Sequence, residues 1–246
     1  MFGFVLASVL LGAITQRVTG MGFALIVAPL LVVLLGPFDG VMIVNLCGAV
    51  SSGLILSRVW RSVDWWRFRW LAVSAMVGIV PGGILAAVLP DAALEIGIGV
   101  LLLLALSTSL LLSRASVVAD GRGLLAALGA SSGFMNAAAG IGGPAVSIYA
   151  VISRWPQAAF AATLQPYFFT IASLSLLTKL LVAPGSWPEL EAWMWLSIIA
   201  ALFAGITVGE LVAKRVSARR ARGAVLVIAF AGAVAAIVNG TLGLTG

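Results

Sequence analysis

The chain has no histidine and one cysteine, Cys47, and its 14 basic and 8 acidic residues amount to only 9% of it. Each shortage removes a kind of chemistry. Without histidine there is no imidazole acid–base catalyst, and most metal sites lose their usual ligand. One thiol inside an apolar run supports neither a disulfide framework nor a thiolate cluster. No acid stands mid-way along a long apolar run, so a carboxylate proton relay is not indicated. Soluble domains carry about 25% charged residues, so this composition cannot build a water-facing surface.

What the chain has is apolar length. Of its 246 residues, 62% are hydrophobic, and the mean hydropathy is +1.19. The apolar segments run approximately over 3–35, 38–57, 69–89, 92–112, 123–153, 157–181, 190–212 and 219–241. Each reaches the roughly 20 residues that a helix needs to cross about 30 Å of hydrocarbon. The runs are continuous rather than alternating, which excludes a closed barrel and leaves helices as the spanning element. The fold class expected is all-α, a polytopic membrane protein embedded in a lipid bilayer. The net charge of +6 is read as basic loops held on one side of the membrane, not as a nucleic-acid surface. Met1 to Leu11 lacks a basic region and its apolar run continues past Arg17, which argues against a cleaved signal peptide.

Segments 3–35 and 123–153 are too long for single spans. A straight helix of about 31 to 33 residues extends near 50 Å. Both also carry a polar, glycine-rich interruption, so both are expected to break. A shift of 120 residues lays Gln16-Arg17-Val18-Thr19-Gly20-Met21-Gly22 on Asn136-Ala137-Ala138-Ala139-Gly140-Ile141-Gly142, and Asn45 on Gln165. A shift of 127 lays Gly78-x-x-x-Gly82 on Gly205-x-x-x-Gly209. The chain reads as two repeats, 1–115 and 116–246.

Charge orients them. Arg58, Arg61, Arg67 and Arg69 mark one loop, and Lys214, Arg215, Arg219, Arg220 and Arg222 another. Eight single crossings would put these loops on opposite sides. Two helical hairpins, each returning to the face it left, put them together with Arg114, Arg122 and Arg154, and leave Asp39, Asp91, Glu95, Glu189 and Glu191 on the other side. Each repeat then has one re-entrant hairpin and three spans, and the second is inverted relative to the first, with both termini outside. Eight plain spans with weak charge bias are the alternative.

The interruptions hold the candidate binding residues. Gly20, Gly22, Gly140, Gly142 and Gly143 allow tight turns and close backbone approach, and Pro144 suits the first turn of a helix. New helices starting near Phe23 and Pro144 would aim free N–H groups at the membrane midplane, where they favour an anion. Arg17 has no acid in its own segment, and a cation in lipid faces a cavity or a partner; an anion would neutralise it. Gln16, Thr19, Asn45, Asn136 and Gln165 supply neutral donors, with Ser51, Ser52 and Ser147 as weaker candidates. Helix packing and interhelical hydrogen bonds are the competing explanation for all of them, and snorkelling to the interface is the one for Arg17. Lys179, near the end of its segment, is expected to snorkel, and Glu210 to serve as counter-ion to Lys214-Arg215. The tryptophans Trp60, Trp65, Trp66, Trp70, Trp187, Trp193 and Trp195 fall at segment ends, as an interfacial belt would.

Three motifs fail in context. Gly129-Ala130-Ser131-Ser132-Gly133 has the G-x-S-x-G spacing but no strand and no histidine base. Gly20-Met21-Gly22 and Gly140-Ile141-Gly142-Gly143 follow no strand, so they are no dinucleotide fingerprint, and there is no nucleotide-binding P-loop. No cofactor, metal or nucleic-acid partner is expected.

The paired interruptions, Pro29 after the first, the basic-aromatic loop with Val63-Asp64-Trp65, and Gly140-Ile141-Gly142-Gly143-Pro144 together resemble the sulfite exporter TauE/SafE family over nearly the whole chain. The resemblance implies a bacterial cytoplasmic-membrane carrier or facilitator, not an enzyme, that exports sulfite, a sulfonate or a related small organosulfur anion. A homo-oligomer stays open. The rivals are an intramembrane enzyme, which would have serines but no base, and a structural membrane subunit whose polar residues only hold helices together.

Overall fold

Glycine and proline set where the helices stop and start. The computed structural model describes residues 2–20, 22–114 and 118–245, and every regular element among them is helical. The helices are α1 (Phe2–Thr19), α2 (Gly22–Leu35), α3 (Pro37–Val59), α4 (Trp65–Val88), α5 (Asp91–Arg114), α6 (Arg122–Ala139), α7 (Gly143–Ile152), α8 (Gln157–Val182), α9 (Ala192–Ala213) and α10 (Ala218–Thr245). Seven of the described helices are long and apolar enough to cross a membrane. α2 and α7, at 14 and 10 residues, are shorter than the roughly 20 residues a full crossing takes.

Both expected breaks are present. Gly20 has φ +86°, a left-handed conformation that suits glycine, and its N–H donates to the Gln16 carbonyl at 2.8 Å. α2 then runs back along α1, with Gly22 against Thr15 and Thr19, and Gly12 against Phe23 and Val27. In the second break Gly140 has φ +72°. Its N–H reaches the Asn136 carbonyl at 2.8 Å, and the Ile141 N–H reaches Met135 at 3.4 Å, the bonding of a glycine-terminated helix. The Ser132 hydroxyl donates to the Gly142 carbonyl at 2.6 Å. The Ala119 N–H donates to the Ile152 carbonyl at 3.0 Å, so α7 ends where α6 begins. Each break is therefore a hairpin turn. Met21 and the repeat boundary at 115/116 lie outside the described residues.

Glycines let the hairpins dock on their neighbours. A Cβ at Gly78 or Gly82 of α4 would collide with the carbonyl oxygens of Ala130 and Phe134 on α6; on α1, one at Gly205 of α9 would collide with the Leu10 carbonyl oxygen, and one at Gly209 with the Arg17 Cβ while crowding the Ile14 backbone at 3.1 Å. Ala130 and Phe134 follow Leu10 and Ile14 by 120 positions, and Gly205 and Gly209 follow Gly78 and Gly82 by 127. Backbones approach this closely only over small residues. α5 and α10 run antiparallel, with Gly99 at Ala233 and Gly240 at Ala92.

The ends of the bundle differ. At one, Glu210 pairs with Arg17 and Arg58, and Arg122 lies 5.8 Å and 5.7 Å from the rings of Trp66 and Trp70. The loops at 57–70 and 213–222 thus share one end. The side chains of Arg114, Arg219, Arg220 and Arg222 lie outside the described residues. At the other end the Phe2 ring meets Trp193 at 5.1 Å, and Asp39, Trp187 and Glu189 line an open cleft.

Candidate functional site between the hairpin tips

The two tips pass each other in the interior and line a small pocket that four polar side chains reach. Gln16 of α1 and Phe23, Ala24 and Leu25 of α2 come from the first hairpin. Asn136 of α6 with Gly140, Gly142 and Gly143 come from the second. Val44, Asn45, Gly48 and Ser52 of α3 and Phe168 and Ala172 of α8 close the sides. The cavity is about 30 Å³, enough for a water centre or two, since one water needs roughly 10–15 Å³ on this measure.

Its polar walls are tied together. The Asn136 amide donates to the Asn45 side-chain oxygen at 2.7 Å and to the Ser175 hydroxyl at 3.0 Å. The Gln16 amide donates to Ser52 at 3.2 Å and its oxygen accepts from Ser51 at 3.0 Å. Asn45 donates to the Val41 carbonyl at 3.0 Å. All of these side chains are buried, where a polar group left without a partner costs about 1–3 kcal/mol. Asn136 links the second hairpin to α3 and α8, and Gln16 links the first to α3. The α7 N-terminus at Gly142 and Gly143 faces the same pocket, so its N–H groups add positive potential there.

Six of the expected binding residues, Gln16, Asn45, Asn136, Gly140, Gly142 and Gly143, line this cavity. Thr19 and Gly22 line a second one of about 340 Å³, with Ser109, Pro144, Ser147 and Trp155. Leu25 faces both cavities, and the larger one lies toward the arginine-rich end, beside the last turns of α5 and the start of α10. Gly20 and Gln165 meet each other: the Gln165 amide donates to the Gly20 carbonyl at 3.3 Å and to Ala161 at 2.9 Å, pinning the first tip to α8. Its oxygen Oε1 is buried without a hydrogen-bond partner among the described residues.

Arg17 is a correction. It lines neither cavity; its Nε lies 3.5 Å from the Glu210 carboxylate, and its side chain is one-third exposed. The acid that the sequence around Arg17 lacks arrives from α9, because Gly209 lets α9 close against Ile14 and the base of Arg17. Glu210 serves Arg17 and Arg58, where Lys214-Arg215 had been expected. Lys179 is a second correction: it does not snorkel but is fully buried, its Nζ 3.5 Å from the Phe38 carbonyl and 4.3 Å from the Phe38 ring. Glu95, one of the acids expected on the side opposite the arginines, is buried between α5 and α10 and accepts from Asn239 at 2.7 Å.

A clamp closes the base of the second hairpin. Asp64 caps α4 by accepting from the Arg67 N–H at 3.1 Å. The Arg67 guanidinium bonds Asp64 at 3.0 Å, reaches Asp120 at 3.5 Å and lies 4.7 Å over the Trp155 ring. Asp120 also accepts from the Tyr149 hydroxyl. That hydroxyl bond first, with the Gly121 N–H and Arg67, holds the Asp120 carboxyl below its ordinary range.

A multi-pass helical membrane protein with two hairpins around a small internal pocket is the class that the fold and pocket define. The chain belongs to the sulfite exporter TauE/SafE family, whose profile matches residues 4–243. No curated protein and no solved structure matches it.

Proposed function

We propose that the protein exports a small oxyanion, sulfite or a sulfonate, across the cytoplasmic membrane through the pocket between the hairpin tips. The observation that carries this is the pocket itself: Gln16 of the first hairpin, Asn136 of the second and Asn45 and Ser52 of α3 converge on one small interior site whose other walls are apolar. With the Asn136 amide spent on Asn45 and Ser175, its donors are the remaining N–H groups of the Gln16 and Asn45 amides and the α7 N-terminus, a set that favours an anion without holding it as tightly as a full charge would. The larger cavity supplies an approach from the arginine-rich end, the side a cytoplasmic face is expected to carry. In this state the pocket is too small for the anion, so passage requires the hairpin tips to part.

We read the two halves as inverted copies, because the glycine contacts of α4 on α6 repeat on α9 and α1 under the same two sequence shifts. Such repeats suit rocking of one unit against the other about a fixed site. An inside-negative potential drives anion export by about 2.3 kcal/mol per charge per 100 mV, which is why we favour downhill export. No catalytic role is assigned, since the pocket offers amides and hydroxyls without a base.

Purified protein in liposomes loaded with sulfite or methanesulfonate tests this. Efflux that rises with an inside-negative potential supports it. Vesicles as tight as protein-free ones for both anions overturn it.

A further inference from the structure

Lys179 has no part in the pocket described above, yet among the described residues it is the most completely enclosed charged side chain, with none of its surface exposed. An ammonium buried in this way normally has a carboxylate beside it. Here its recorded contacts are the carbonyl and ring of Phe38, and no ion pair within 4 Å is seen for it among the described residues. Asp39 is close enough to act on it electrostatically, and Asp91 and Glu189 act in turn on Asp39.

Its place in the fold gives the charge a use. Ser175, which accepts from Asn136 at 3.0 Å, lies one helical turn before Lys179 on the same face of α8. On α3, Asn45 lines the central pocket, Asp39 and Ile43 line the outer cleft of about 500 Å³, and Phe38 holds Lys179. The ammonium itself lines neither, but along α3 and α8 it stands between the residues that line the pocket and those that line the cleft, on the stretch an anion moving from the amides to the acidic end would cross.

Resting on the transport reading above, we propose that Lys179 is the charge-selective binding residue of the outward half of the pathway. It receives the oxyanion from the central pocket, and gives up its contact with Phe38 to do so. Asp39 competes with the anion for the same ammonium and, with Glu189 at the cleft, repels its return.

The test uses the full chain in liposomes, with sulfite and methanesulfonate as probes. Lys179→Met, similar in length but uncharged, is expected to lower efflux by about tenfold or more and to raise the half-saturating concentration. Lys179→Arg keeps the charge and is expected to retain about a third or more of the wild-type rate. Asp39→Asn removes the competitor and is expected to lower half-saturation by about two- to fivefold. A residue that merely joined α8 to α3 would change stability and leave half-saturation unmoved. Equal kinetics for wild type and Lys179→Met overturn the proposal. Should Lys179→Met fail to assemble, the Asp39→Asn protein decides alone, and unchanged half-saturation there overturns it. Wild-type vesicles that move neither probe overturn the transport reading, and this assignment with it.

Discussion

The side-chain amide of Asn136 donates to the side-chain oxygen of Asn45 at 2.7 Å across 91 positions of sequence. That bond joins the tip of the second hairpin to the helix that follows the first. Asn136 spends its other N–H on Ser175, so both of its donors hold the pocket wall. Asn136→Ala is expected to cost about 1–3 kcal/mol, because it orphans two buried acceptors. It should also lower sulfite efflux by roughly tenfold or more. Thermal unfolding in detergent and liposome efflux, measured on the same preparation, check both. Efflux at the wild-type rate would remove Asn136 from the pathway.

Arg17 leads to the opposite expectation. It pairs with Glu210 at a partly exposed site, where an ion pair contributes about 0–1 kcal/mol. Arg17→Ala should leave efflux within about twofold of wild type. Glu210→Gln, which leaves Arg17 and Arg58 together without their acid, should destabilise more than Arg17→Ala does. The two unfolding midpoints give the comparison.

The backbone of the second tip can be tested at Gly140. With φ +72°, any Cβ there is strained by about 1–2 kcal/mol. Gly140→Ala should therefore fold with a modestly lower midpoint. Gly78→Ala should lose more, since its Cβ would strike the Ala130 carbonyl in the α4–α6 contact. Equal losses would mean that the close approach of α4 to α6 is not what needs glycine.

Much of this arrangement could be read from residue order. Gly20 and Gly140 lie inside runs too long for one span, so hydropathy and a glycine pair were enough to place both turns. The matched spacings of Gly78/Gly82 and Gly205/Gly209 foretold close helix contacts, because the need for a missing side chain is written locally. Partners across the bundle were not legible. The carboxylate beside Arg17 comes from α9, and nothing near Arg17 in sequence announces it. The burial of Lys179 was hidden for the same reason: a lysine three residues from a helix end reads as reaching for water, and only the packing of α3 on α8 seals it in. Ser175 became visible as a pocket partner only once Asn136 had been placed, whereas Ser51 and Ser52 were already weaker candidates in the sequence.

Asp120 gives a pH dependence with a definite sign. Its carboxyl titrates below the ordinary 3.8 in the folded protein, chiefly through the Tyr149 hydroxyl. A depressed carboxyl contributes stability that is present above its unfolded value and is lost as pH falls through the folded one. Acidification below about pH 4 should loosen the base of the second hairpin. Asp120→Asn should flatten that part of the curve, and Tyr149→Phe should weaken it. Hydrogen exchange over 118–121 and 149–152 as a function of pH reports it.

Gly48 offers the most direct view of whether the anion passes between the hairpin tips. It lines the pocket, and a side chain built there meets nothing within 4 Å. Replacing Cys47, the sole native cysteine, with alanine and introducing Gly48→Cys puts one thiol in the pocket. Methanethiosulfonate ethylsulfonate, itself an anion, should then label the protein and stop methanesulfonate efflux, while the Cys47→Ala protein is unaffected. Efflux that continues at the unmodified rate in fully labelled protein, or a thiol that the reagent never reaches in a transporting one, would contradict a route through this pocket.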